Sequence, residues 1–274
     1  MNAASTPRVH GAHLRRPHLR SVCACALLLA ALMVVLAAGC GSQSNGSSGA
    51  STKIIVFGAA SLTDAFTKLG SDYTAAHPRV TVTFNFAGSQ ELVAQLQQGA
   101  PADVLATADT KTMNQVATLV DAQQVFACNK LEIAVPPGNP EHIASLKDLA
   151  DPSLKVVLAA PQVPAGKYAQ AILGKAGVTV KPVSLEDSVK GVVTKVSLGE
   201  ADAGIVYVTD IQAAGGKVDG VTIPDALNLI ATYPIAVVKA TKNDQDARAF
   251  VDLVVSSTGR QVLQGFGFLP PSGP

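Results

Sequence analysis

The sequence has no tryptophan among its 274 residues, only 4% aromatic residues and only 15% charged ones. Scarce aromatics leave little surface on which sugars or bases could stack. The formal net charge is +1, but the first 40 residues hold four arginines (Arg8, Arg15, Arg16, Arg20) and no acid. Taking those four from the 21 bases leaves 17 against 20 acids, so the rest of the chain is net acidic. That balance excludes nucleic acid as a partner. Catalytic signatures are missing as well. There is no Gly-x-Ser-x-Gly elbow, no His-Glu-x-x-His, no Walker loop and no Gly-x-Gly-x-x-Gly. Ser61 follows an apolar strand, as a nucleophile would, yet no histidine base accompanies it. What the chain does have is 48% hydrophobic residues, enough to rule out wholesale disorder, over a length that suits one large or two modest domains.

The N-terminus reads as an address. A basic stretch over residues 8–20 precedes an apolar and small-residue run from Val22 to Gly39, ending at Cys40. This is the layout of a secretory signal. The run is also long enough to be read as a transmembrane anchor. Ala37-Ala38-Gly39-Cys40 resembles the bacterial lipobox, with Leu36 one place earlier than usual. That resemblance implies cleavage before Cys40, lipid on its sulfur and an extracytoplasmic protein anchored to the cell membrane. Arg15-Arg16 leaves the export route open, since Pro17 and His18 fit a twin-arginine signal poorly. Residues 1–39 are thus expected to be signal and 40–52 a flexible Gly/Ser-rich linker. Cys23 and Cys25 leave with the signal and Cys40 would carry lipid, so the mature domain is expected to hold no intramolecular disulfide, and Cys128 reads as a small packed side chain. His77 and His142 are the only histidines beyond the signal, too few for a transition-metal cage.

Beyond the linker, short apolar runs alternate with helical patterns. Lys53-Ile-Ile-Val-Phe57 reads as a buried strand. Leu62, Ala65, Phe66, Leu69 and Tyr73 follow at helical spacing and stop before Pro78. Val80–Phe86 alternates like a strand. Leu92, Val93 and Leu96 mark a helix ending at Gly99, Ala102–Thr107 a strand, and Met113, Val116, Ala117 and Val120 a further helix. The rhythm predicts an α/β fold of two lobes, each a mostly parallel sheet flanked by helices. Leu131–Val135 reads as a crossing into the second lobe, and Ile235–Val238, after Tyr233-Pro234, as the return. Residues 53–130 and 233–274 are then lobe 1 and residues 131–232 lobe 2. No internal sequence repeat is seen.

A strand, a turn of small or hydroxyl residues and a helix start recur together. The cases are Ala59-Ala60-Ser61-Leu-Thr-Asp64, Gly88-Ser89-Gln-Glu91, Val163-Pro164-Ala165-Gly166 and Glu186-Asp187-Ser188-Val189. Helix N-termini carry unpaired N–H groups and about half a positive charge each. Several converging at the carboxyl edge of a sheet would bind an anion with no cation present. Taken singly, each has a structural reading. Ser61 and Ser89 would be helix caps, with Asp64 completing a capping box for Ser61. Pro164 and Gly166 would be turn residues and Tyr207 a half-buried core aromatic. Lys167 and Lys190 would be solvated.

Here the chain resembles the molybdate-binding extracytoplasmic component of bacterial ABC transporters. The resemblance rests on Val56-Phe-Gly-Ala-Ala-Ser-Leu-Thr-Asp-Ala65, Phe86-Ala-Gly-Ser89, Gln98-Gly-Ala-Pro-Ala-Asp103, Val163-Pro-Ala-Gly-Lys-Tyr-Ala169, Glu186-Asp-Ser-Val189, Gly204-Ile-Val-Tyr207 and Tyr233-Pro-Ile-Ala-Val-Val238. It implies a two-lobed periplasmic-binding-protein fold, type II-like, hinged on two crossing strands. It implies an oxyanion held by Ser61, Ser89, Ala165, Val189 and Tyr207, through hydroxyls and backbone N–H groups. Molybdenum is then met only as molybdate or tungstate, with no direct protein ligand and no cofactor. It also implies a monomer that delivers its ligand to a membrane permease and ATPase. Departures are mild: Gly88 and Gln90 flank Ser89 where the family often has serines, and Ser188 replaces a commonly polar or acidic residue.

A donor-only site favours a fully deprotonated dianion. Hydrogen phosphate carries a proton that would face donors, and such a mispaired group costs ~1–3 kcal/mol, tenfold or more in affinity. Sulfate has no such proton, so only cavity size would reject it. The alternatives are a binding protein for sulfate or another small oxyanion, and an enzyme acting on a phosphoryl or sulfuryl group. An organic acid usually calls for a bidentate arginine, and Arg79, Arg248 and Arg260 all lie outside these turns.

Overall fold

A computed structural model describes residues 51–271 of the chain. The signal-like segment, Cys40 and the linker up to residue 50 lie outside the described residues. The chain enters β1 (Thr52–Ala59), where Ile54, Val56 and Phe57 bury both faces. A 3₁₀ turn (Ala60–Leu62) leads into α1 (Thr63–Ala76), which buries Ala65, Phe66, Leu69 and Tyr73 at helical spacing. Then come β2 (Val80–Ala87), α2 (Ser89–Gln97), β3 (Val104–Ala106), α3 (Thr110–Asn114) and β4 (Gln124–Asn129). After β5 (Leu131–Val135) and a 3₁₀ turn (Asp148–Ala150) follow β6 (Val156–Ala159), α4 (Pro164–Ala176), β7 (Ser184–Glu186) and α5 (Val189–Ser197). The chain closes with β8 (Ala203–Tyr207), α6 (Val208–Ala213), β9 (Asp219–Thr222), β10 (Ala231–Val237), α7 (Asp244–Val255) and α8 (Ser257–Gly265).

Among the described residues these strands form two five-stranded sheets, ordered β2-β1-β3-β10-β4 and β7-β6-β8-β5-β9. In lobe 1, β1 pairs parallel with β2 and β3, and β10 runs antiparallel between β3 and β4. In lobe 2, β6 pairs parallel with β7 and β8, and β5 runs antiparallel between β8 and β9. The two sheets are one topology built twice, a repeat that the sequence does not display. In each lobe the antiparallel strand comes directly after a crossing. Asn228, 8% exposed, ties the crossings together: Leu131 N–H donates to its Oδ1 at 3.2 Å, and its Nδ2 donates to Leu131 O at 2.8 Å.

Two elements depart from the sequence reading. The helix expected through Val120 ends at Asn114, and Val120 instead makes an antiparallel bridge with Val238. Val116 and Val120 are buried, so the spacing reported a packed face and not a continuous helix. The return strand begins at Ala231, earlier than expected, and takes Tyr233-Pro234 into its middle. Proline lacks the ladder N–H, and the register shifts between Tyr233 and Pro234.

Candidate functional site

The carboxyl ends of β1 and β8 lead directly into helical turns, those of β2 and β7 after one or two residues and that of β6 after four. In α/β sheets this edge carries the ligand crevice. One small cavity there is walled by Ser61, Ser89, Ala165, Val189 and Tyr207, all five residues singled out from the sequence. It is small, with room for one compact group. No charged side chain belongs to its wall. A larger groove, of about 690 Å³, lies beside Lys53 and Lys239, where β1 begins and β10 has ended.

The helix starts at this cavity are left without side-chain caps. The 3₁₀ turn, α2 and α4 begin after Ala59, Gly88 and Val163, none of which offers a capping oxygen. Their first N–H groups are therefore left without a side-chain cap. At α5 the Ser188 side chain caps Gly191 N–H, which leaves the Val189 N–H outside that cap. The helix α4 can reach the site because Gly166 has no side chain. A Cβ there would meet the Ala160 and Ala159 carbonyl oxygens at 2.1 and 2.4 Å.

The cap readings of Ser61 and Ser89 are corrected here. Ser61 lies inside the 3₁₀ turn, and its Oγ is 3.0 Å from Tyr233 Oη. Ser89 is the first residue of α2, after the Gly88 N-cap, and its Oγ accepts the Ala108 N–H at 3.0 Å. Tyr207 is 1% exposed, not half-buried, and its hydroxyl has no hydrogen-bond partner among the described residues. A buried polar group left alone costs ~1–3 kcal/mol, so Tyr207 is poised for a partner entering the cavity. Burial, and after it the neighbouring Tyr233, pushes this hydroxyl well above its ordinary pKa, so it keeps its proton.

The lysines are not simply solvated either. Lys167 Nζ reaches from α4 across to lobe 1, 3.1 Å from Asp109 Oδ2 and 2.8 Å from Thr112 Oγ1. Lys190 Nζ lies 3.6 Å from Asp64 Oδ2 in lobe 1 and 4.0 Å from Asp210 Oδ1 in its own lobe. Gln90 Nε2 donates to Asp187 O at 2.9 Å, a third contact between lobes. Asp210 Oδ2 accepts the Tyr207 N–H at 3.1 Å, and burial pushes its carboxyl up to about 6. Among the described residues no three His, Cys, Asp or Glu side chains cluster as a metal would need. Tyr233, Ala108, Asp109 and Thr112 escaped the sequence reading. Each meets the site from a distant stretch of chain, and no local spacing signals that.

Residues 54–269 match the family described as bacterial extracellular solute-binding proteins. The molybdate-binding protein ModA of Mycobacterium tuberculosis H37Rv is 43% identical over 252 residues, covering 89% of this chain and 97% of that one. The molybdate-binding protein ModA of Haemophilus influenzae is 32% identical, over 80% of this chain and 91% of its own. Among solved structures, the periplasmic molybdate-binding protein of Azotobacter vinelandii superposes with a TM-score of 0.70 at 19% identity, over 80% of this chain and 100% of that one. That likeness is one of fold. With a match spanning nearly all the described residues and a relative at 43% identity, the chain belongs to the bacterial extracellular solute-binding proteins.

Proposed function

We propose that this protein binds molybdate outside the cell membrane and hands it to the permease of an ABC importer driven by a cytoplasmic ATPase. The observation that carries the reading is the small cavity between the lobes, where uncapped helix starts and an unpartnered tyrosine hydroxyl meet with no charged side chain on the wall. Such a wall satisfies a dianion through fixed dipoles and hydroxyls. Ser61, Ser89 and Tyr207 give hydroxyls, and Ala165 and Val189 give backbone N–H groups. Relatives named for molybdate at 43% and 32% identity support the choice of anion. Tungstate has the same charge and tetrahedral shape and binds at the same place. The protein works as a monomer, without a cofactor or catalytic step, tethered by lipid on Cys40 through the Gly/Ser-rich linker to lobe 1.

A thermal-shift panel of molybdate, tungstate, sulfate and phosphate tests this. Molybdate at 100 times its Kd should stabilise the protein by about 2.7 kcal/mol, with tungstate comparable and phosphate silent. A panel in which sulfate alone shifts the transition would reassign the ligand. Cys40→Ser should release the protein from the membrane fraction, and retention there would mean an uncleaved helix in place of a lipid.

A further inference from the structure

We infer that Asn129, the last residue of lobe 1 before the first crossing, positions the Tyr207 hydroxyl for the ligand by holding Thr209; this rests on the reading of the cavity as an oxyanion site. Lys130 alone separates β4 of lobe 1 from β5 of lobe 2. Three successive residues of this crossing meet three successive residues of the turn that begins α6. Leu131 pairs with Tyr207 in the sheet. Val208 N–H donates to Lys130 O at 3.0 Å. Asn129 Nδ2 donates to Thr209 Oγ1 at 2.9 Å. The carboxamide cannot be turned the other way. Its Oδ1 accepts the Lys130 N–H at 2.9 Å, and a backbone N–H only donates, so the oxygen lies on that side and the nitrogen faces Thr209.

Of the three ties, this last one begins in lobe 1, since Asn129 is still paired with Ala231 of β10 in the first sheet. It is also dry: Asn129 is 0% exposed and Thr209 4%, so water does not stand in for either partner. The support matters because Tyr207 differs from the other lobe 2 residues on the cavity wall. Ala165 and Val189 lie in the first turns of α4 and α5, and the backbone N–H groups they offer are fixed by those helices. Tyr207 offers the far end of a long side chain, and it is the N-cap of α6, so a small rotation of this turn swings its hydroxyl. A bond from a hydroxyl to an oxygen is best at about 2.7–2.8 Å and weakens steeply when misaligned, so such a donor needs a rigid group behind it. Asn129 supplies one from lobe 1, at the pivot between the lobes. The lobe 2 hydroxyl is thereby held in register with Ser61 and Ser89, the lobe 1 serines that share its cavity.

Thr209→Val removes the acceptor and keeps the branched shape. Calorimetry with sodium molybdate should be run on wild type, Thr209→Val, Thr209→Ser, Tyr207→Phe and the Thr209→Val/Tyr207→Phe double variant, each checked for an intact melting transition. Thr209→Val should bind molybdate about fivefold more weakly, and Thr209→Ser, which keeps the hydroxyl, should stay within about twofold of wild type. In the Tyr207→Phe background Thr209→Val should cost nothing further, because there is no hydroxyl left to place. Asn129→Leu breaks the same bond from the other side and should show the same dependence on Tyr207. An equal loss with and without the Tyr207 hydroxyl, no loss at all, or a loss in Thr209→Ser as large as in Thr209→Val overturns the positioning role while leaving molybdate binding intact. A wild type that does not bind molybdate overturns the functional reading and the positioning role together.

Discussion

Asp210 is a buried carboxyl that accepts the Tyr207 N–H at the start of α6, with Lys190 4.0 Å away. Burial raises its pKa to about 6 from 3.8, against the opposing pulls of Lys190 and the Tyr207 N–H. A folded-state pKa above the unfolded one means that the contribution is most favourable below the unfolded value and is lost as pH rises through about 6. Asp210→Asn keeps an oxygen for the Tyr207 N–H and cannot ionise. The stability of the variant relative to wild type should therefore rise between about pH 4 and pH 6 and level off above that, by an amount on the order of 1–3 kcal/mol. A flat difference across that range in calorimetric melts would remove the buried ionisation. The two serines give a separate outcome. Ser61→Ala and Ser89→Ala should each weaken molybdate binding by ~1–3 kcal/mol in calorimetry. Neither caps a helix, so neither should cost the ~1 kcal/mol of stability that a lost cap does. Ser61, Ser89, Ala165, Val189 and Tyr207 are legible together in the sequence only through the resemblance. Spacing alone offered Ser61 and Ser89 as caps and Tyr207 as a core residue, because a turn beside a site and a turn beside nothing read alike. Tyr233 and Ala108, the groups those serines touch, lie 172 and 19 residues away along the chain.

At the scale of elements, the closeness of the two lobes is governed by backbone as much as by charge. Gly88, the N-cap of α2, has φ −58 and ψ 137, ordinary values for any residue. A Cβ there would nevertheless meet Asp187 O of lobe 2 at 2.4 Å. Gly88→Ala should thus act as a wedge. It leaves each lobe's fold unstrained and should weaken molybdate binding tenfold or more, ~1.4 kcal/mol, with little change in the melting temperature of the ligand-free protein. Calorimetry beside a thermal melt checks the pair of outcomes, and equal losses in both would place Gly88 in the fold instead of the closure. Most elements were legible because each satisfies a single local rule. β1 buries both faces and reads as an unbroken apolar run, and α1 carries one apolar stripe and stops before Pro78. The run after α3 misled because Val116 is buried in a turn and Val120 in a bridge to Val238, where a periodic count cannot tell a helix from a chain folded against β10. The start of β10 was missed because Pro234 forbids a regular ladder, and only the register shift lets the strand pass through it.

For the whole molecule, contacts between lobes couple ligand to shape. Lys167 joins Asp109 and Thr112, Lys190 joins Asp64, and Gln90 joins Asp187. These are few and polar, so they favour closure without locking it, and an anion touching both lobes shifts the population further. Small-angle scattering should give a smaller radius of gyration with molybdate than without. Lys167→Met should raise the ligand-free value toward an open limit while saturating molybdate still closes the variant. Identical curves for the four samples would remove the hinge from the mechanism. The paired topology of the sheets was out of reach of the sequence. Equivalent strands in the two lobes share hydrophobicity but no motif, and only their pairing makes them equivalent. That pairing has a consequence for how the chain matures. β10 lies between β3 and β4, yet it is made after every strand of lobe 2. As the chain emerges N-terminus first, β1 to β4 must wait with a gap in their sheet until about residue 237 arrives, while β5 to β9 are complete by Thr222. The half begun second is the half that can be finished first, and the earlier half spends that interval with two unpaired strand edges that a chaperone, or a neighbouring chain, could occupy.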